Sequence, residues 1–212
     1  MYVPTGFALS DEEIAELLGD PGLAQLVSVG ASGLVVTPLP LIYDRPNARL
    51  LGHMAKANPH WREAATQTES VAIFALSDGY ISPSLYATKA ETGRVVPTWN
   101  YETVHAHGQL RFHTDRDWLY RQVCALTDLH EGSRDQPWAV TDAPAEFVDK
   151  QLSAIVGVEL SITRWEGKAK MSQNQPERNR DSVIEHLSRS PIAADQAMAR
   201  RIARRSADRR DR

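Results

Sequence analysis

At 212 residues the chain is long enough to bury one substantial core without covalent staples. A single cysteine, Cys124, excludes an intrachain disulfide framework and a cysteine-rich zinc site. The formal charge of -3 is spread unevenly: residues 189–212 hold eight Arg and three Asp, a net of +5, which leaves -8 on the rest. An acidic body with a basic end keeps nucleic acid or an acidic partner in play. No apolar run approaches membrane-spanning length, and Met1-Tyr2-Val3-Pro4 lacks the pattern of a signal peptide, so a cytoplasmic protein is expected.

Ser10-Asp11-Glu12-Glu13 reads as a capping box opening a short helix through Ile14, Leu17 and Leu18 that Gly19 ends. Strand signals follow over 24–29 and 34–43, flanking the hairpin turn Gly30-Ala31-Ser32-Gly33. Pro38 and Pro40 make the second run bent or an edge. Residues 50–54 form an apolar strand that runs into a helix, with Asn58 as N-cap and Pro59 at the first helical position. A short strand is expected over 71–76. From Trp99 to His113 strict alternation appears, with Val104, Ala106 and Leu110 on one face. Helices are expected over 115–126 and 144–152, the first holding Cys124 as a buried thiol. A long strand over 154–165 and two further helical stretches, 177–187 and 191–212, complete the chain. Mostly antiparallel strands with short helices between them fit a closed or nearly closed β-barrel with peripheral helices.

Three groups of residues could carry chemistry. The first is Lys56 beside the start of the helix at Asn58-Pro59, where free backbone N–H groups and a cation could seat a phosphate; an ordinary strand-to-helix turn is the alternative. The second is Lys168-Ala169-Lys170-Met171-Ser172-Gln173-Asn174. If extended, this segment places Lys168, Lys170, Ser172 and Asn174 on one face, suited to a phosphate or a polar heteroaromatic rim. The third is the aromatic set Tyr80, Tyr86, Trp99 and Tyr101, which could wall a planar ligand or close a barrel end. His105 and His107 share a strand face, but no third metal ligand has clear spacing, and no metal site is expected. Motifs of hydrolases, kinases and Rossmann dehydrogenases are missing.

Five segments taken together closely resemble the PaiB family. They are Met1-Tyr2-Val3-Pro4 with Phe7, then Gly52-His53-Met54-Ala55-Lys56-Ala57-Asn58-Pro59-His60-Trp61, then Tyr80-Ile81-Ser82-Pro83-Ser84 with Tyr86. Val96-Pro97-Thr98-Trp99-Asn100-Tyr101 and Lys170-Met171-Ser172-Gln173-Asn174 complete the set. Members are described as FMN-binding negative transcriptional regulators, named for repression of protease synthesis and sporulation. The resemblance implies a split β-barrel over residues 1–175, a basic helical tail over 176–212, and a homodimer with FMN between its subunits. It further implies that His53, Met54, Ala55, Lys56 and Asn58 lie along the flavin and its phosphate. Trp99, Asn100 and Tyr101 would add ring or edge contacts, and Lys170, Ser172, Gln173 and Asn174 would close the site. No helix-turn-helix is visible, so DNA is a partner without a motif, reached through the Arg-rich end. Two other readings stay open: a flavin-dependent oxidoreductase, and a haem-binding or haem-degrading split barrel.

Overall fold

The computed structural model describes residues 1–31 and 33–207, so Ser32 and the last five positions of the Arg-rich end lie outside the described residues. Strands β1 (Leu23–Gly30) and β2 (Gly33–Pro40) form an antiparallel hairpin with Gly30 opposite Gly33. Gly33 sits at φ 122°, a conformation open to glycine but strained for other residues. The run 34–43 proves to be two strands: β2 stops at Pro40, Leu41 is buried, and β3 (Ile42–Asp44) pairs with β4 (Arg49–Ala55). β5 (Ser70–Ile81) is twice the expected length, continuing through Ser77-Asp78-Gly79-Tyr80, whose polar and glycine residues read locally as a turn. β6 (Thr98–His113) and β7 (Ile155–Lys170) are sixteen residues each.

These seven strands make one sheet in the order β2-β1-β5-β6-β7-β4-β3. β2 is therefore an edge, where the missing N–H groups of Pro38 and Pro40 break no central ladder. Burial along β6 alternates with a period of two from Asn100 to Leu110, as the sequence pattern requires.

The chain divides into two compact units. One comprises Asp11–Phe74 and His105–Trp165. Its core includes Leu26, Leu50, Phe74, Val158 and Leu160, all fully buried. Helix α1 (Asp11–Leu17), the single turn α2 (His60–Glu63), α4 (Arg116–Glu131) and α5 (Ala145–Ser153) belong to it, with α3 (Lys89–Thr92) in the other unit. The Asp115 carboxylate caps α4 by accepting from the Trp118 N–H at 2.8 Å. α4 lies close on β7 because Gly157 has no side chain: a Cβ there would meet the Trp118 ring at 2.2 Å. Cys124 is half-buried on α4.

The other unit comprises Met1–Ser10, Ala75–Val104 and the chain from Glu166 onward. Its core joins Ile81, Ala169 and Met171 to Val183 and Leu187 of α6 (Glu177–Ser188) and to Met198, Ala199 and Ile202 of α7 (Ala193–Ala207). On α7 the buried positions 198, 199, 202, 205 and 206 trace one stripe of a 3.6-residue helix. Arg205 on that stripe is buried and donates to Glu102, itself 3% exposed, at 3.3 Å. Arg201 and Ser77 donate to the same carboxylate. Two arginines of the basic end thus serve an internal ion pair.

Two substitutions test this packing. Gly157→Ala should cost about 1–3 kcal/mol in urea unfolding through overpacking against Trp118. Glu102→Ala should cost about 3–5 kcal/mol, because it takes the carboxylate away from two guanidinium groups; a loss below about 1 kcal/mol would show the pair to be solvated.

Candidate functional site

The segment 52–61 leaves β4 and turns into α2. Gly52 is buried where a Cβ would strike the Pro40 carbonyl at 2.6 Å, so its role is to let β4 pass close to the preceding segment. Met54 faces the core, 5% exposed, while Ala55 and Lys56 are exposed. His53 donates from Nδ1 to Oε1 of Gln122 at 2.7 Å, and the Gln122 amide nitrogen is buried with no partner among the described residues. Lys56 reaches the Ser153 carbonyl at 3.4 Å, and its own carbonyl accepts from the Trp61 indole at 3.0 Å. The Asn58 side chain accepts from the His60 N–H at 3.0 Å, and the helix begins at His60, so that Pro59 rather than Asn58 occupies the N-cap position. The helix it opens is a single turn of four residues, so little dipole accumulates behind it.

His60 is the buried hub beneath this turn. It is fully enclosed, with Ser28 Oγ 2.8 Å from Nε2 and Thr37 Oγ1 2.8 Å from Nδ1. Asn58 donates to Thr37 at 3.1 Å and Ser70 to Ser28 at 3.2 Å. The network ties β1, β2, β5 and α2 together through polar groups that each find a partner. Burial holds the His60 pKa below the ordinary value of 6.5, so the ring is neutral in the fold.

In the other unit, the residues 98–101 and 168–175 form a pocket of about 100 Å³ lined by Tyr86, Val96, Thr98, Asn100, Lys170, Ser172, Asn174 and Gln175. The extended pattern expected over 168–174 stops at Lys170, where β7 ends. Ser172 then turns at φ 62°, a left-handed conformation that costs a non-glycine residue about 1 kcal/mol or more. Its hydroxyl and the buried Asn100 amide hold each other at 3.0 and 3.3 Å. Gln173 clamps the turn, accepting from the Met171 N–H and donating to the Ala169 carbonyl at 2.6 Å. Lys170 directs its ammonium to Thr98 Oγ1 and to the Trp99 carbonyl at 2.6 Å. Burial, and next the charge of Lys168, push its pKa below the usual lysine range. Lys168 donates to the Tyr2 carbonyl and lies over the Tyr101 ring at 5.2 Å. Trp99 is exposed and meets Tyr80 edge-on at 6.0 Å.

The structure therefore brings together two sets of expected residues, 53–58 and 99–101 with 170–174, each within its own unit. Sequence reading missed Gln122, which sits on a helix that reads as core, and the polar use of Tyr86, whose hydroxyl is buried without a hydrogen-bond partner among the described residues. His107 is engaged by Glu69 at 3.2 Å and Arg164 at 2.8 Å. Within their unit, the orphaned Tyr86 hydroxyl and the desolvated Lys170 form a donor set that fits the phosphate oxygens of a flavin mononucleotide.

A mostly antiparallel sheet of seven strands with peripheral helices is the split β-barrel of flavin-binding proteins. The FAD and heme binding protein from Mycobacterium smegmatis shares the fold with TM-score 0.57 and 19% identity, over 83% of this chain and 78% of that one. Residues 1–164 match the family model described as "Putative FMN-binding domain", so the chain belongs to that family, and its cofactor is FMN. It is 28% identical to the Protease synthase and sporulation protein PAI 2 of Bacillus subtilis, across 88% of this chain and 89% of that one. An uncharacterized protein of Emericella nidulans is 35% identical over 69% of this chain and 72% of its own. Among the described residues no helix is long and apolar enough to cross a membrane.

The His60 network predicts a pH dependence. A histidine kept neutral in the fold but free to protonate when unfolded contributes stability that is fully present above pH 6.5. That stability declines as pH falls from 6.5 towards the lower folded value. Urea midpoints of the intact chain should fall over this range, and His60→Gln, although less stable overall, should show a shallower fall. Parallel slopes would place the pH dependence elsewhere.

Proposed function

We propose that this chain is a homodimeric, FMN-binding negative transcriptional regulator of the PaiB type, in which the flavin acts as a redox or ligand sensor. The observation that carries the reading is the donor set at Lys170: an ammonium drawn out of water beside a left-handed serine and an unpartnered tyrosine hydroxyl. Core stability requires none of these features, and each suits an anionic, carbonyl-rich ligand. His53, Met54, Ala55, Lys56 and Asn58, with Trp99, Asn100, Tyr101, Lys170, Ser172, Gln173 and Asn174, are the proposed FMN contacts of the dimer. Met54 contributes through its backbone, since its side chain is in the core. Bound FMN supplies the electron-transfer chemistry, and the protein supplies orientation and electrostatics. Membership of the FMN-binding family and similarity to the Bacillus protein support this reading.

The basic end bears on the regulatory part. Arg201 and Arg205 turn towards Glu102, whereas Arg200 is exposed on α7 and can meet a polyanion. The test is to titrate the purified chain with FMN and follow flavin fluorescence, elution volume and salt-dependent DNA binding with and without the cofactor. A dimer that quenches FMN and changes its DNA affinity on loading is expected; a monomer indifferent to FMN overturns the reading. Lys56→Ala should weaken FMN retention about tenfold, the loss of one charge-assisted contact of about 1.5 kcal/mol, with unfolding unchanged. Equal affinity in that variant removes Lys56 from the site.

A further inference from the structure

We infer that the pocket bounded by Tyr86, Asn100, Lys170, Ser172 and Asn174 is a binding site for one tetrahedral oxyanion of the phosphate class, with the Tyr86 hydroxyl as a dedicated donor. This deepens the flavin reading and in part rests on it, since the phosphate could be that of FMN or of a separate small ligand.

Size comes first. About 100 Å³ is below the range of about 300 Å³ and more that pockets for whole drug-sized ligands occupy. That space and its polar lining suit a phosphate group. Chemistry comes second. Tyr86 is 3% exposed, its hydroxyl has no partner among the described residues, and burial raises its pKa, so it stays protonated as a donor. A buried hydroxyl left unpaired costs about 1–3 kcal/mol, which an oxyanion would recover. Lys170 has three N–H donors, of which the Thr98 hydroxyl and the Trp99 carbonyl take two. Its ammonium is penalised by burial and by Lys168, and an adjacent anion offsets both. The Ser172 turn is held in place by Asn100 and Gln173, and Asn179 braces the Gln175 wall by donating to it at 3.2 Å. The donors are therefore set before any ligand arrives.

The experiment compares the full chain with Tyr86→Phe and Lys170→Met in phosphate-free buffer of constant ionic strength. Inorganic phosphate, FMN and riboflavin, which lacks the phosphate, serve as probes, read by thermal midpoint and by flavin fluorescence. Tyr86→Phe should keep or raise the ligand-free midpoint, because it removes only an unpaired hydroxyl. A lowered midpoint would reveal a partner for that hydroxyl and overturn the inference. Phosphate should raise the wild-type midpoint, with affinity reduced about five- to tenfold in Tyr86→Phe and further in Lys170→Met. If the variants also lose the preference for FMN over riboflavin, the pocket holds the cofactor's phosphate. If that preference survives while the response to inorganic phosphate falls, the pocket serves a separate ligand. A response to phosphate in a chain that binds no flavin keeps the pocket and removes the flavin reading. Identical responses of wild type and both variants to all three probes overturn the inference.

Discussion

An extended chain shows alternate side chains to opposite sides, and the sixteen-residue strand β6 displays that constraint in its burial. Along β6 every second residue from Asn100 to Leu110 is buried, so the intervening positions are offered to the opposite face. Because the period is two, a slip of one residue would exchange Asn100 and Glu102 for Tyr101 and Thr103. The apolar alternation of Val104, Ala106 and Leu110 therefore fixes where the polar residues of the same strand point. β6 supplies Asn100 to the pocket and Glu102 to the buried ion pair, while β7 carries Gly157 under α4 and ends at Lys170.

Buried polar groups then specify what apolar packing leaves loose. His60 binds two strands to a one-turn helix through the Ser28 and Thr37 hydroxyls and a third strand through Ser70, and Glu102 binds α7 through two guanidinium groups. Such groups add little net stability over an apolar core but are costly to mismatch, so they discriminate between registers. In each unit the polar network lies next to a proposed ligand-contacting segment. His60 sits beneath Asn58, and Glu102 follows Asn100 on the same strand.

The sequence was legible where one local rule acts alone. The hairpin at Gly30, the alternation from Trp99 and the prolines of an edge strand each follow from backbone geometry and solvent exposure. It was opaque where a distant segment decides. β5 runs on through Ser77-Asp78-Gly79-Tyr80, and in its unit Gly79 lies against Met198, well over a hundred positions away. The Arg-rich end reads as a solvated or polyanion-binding surface until Glu102 is seen to claim two of its arginines. The grouping of Lys170, Ser172 and Asn174 was readable from their spacing, yet the pocket arises by a left-handed turn at Ser172 rather than by continued extension. Tyr86 was readable as an aromatic wall, but the unpaired state of its hydroxyl was not, because a tyrosine ring packs the same way whether or not its hydroxyl is satisfied.

The prolines of β2 have a consequence for how copies of the chain can meet. An outermost strand with a full set of amide hydrogens is a template onto which another polypeptide can zip by backbone pairing, the first step of runaway assembly. Pro38 and Pro40 remove two amide hydrogens from eight residues of that margin. The exposed Leu34 and Val36 alongside are thereby kept from seeding fibrils, and association is directed to side-chain surfaces, where a finite, closed pairing is possible.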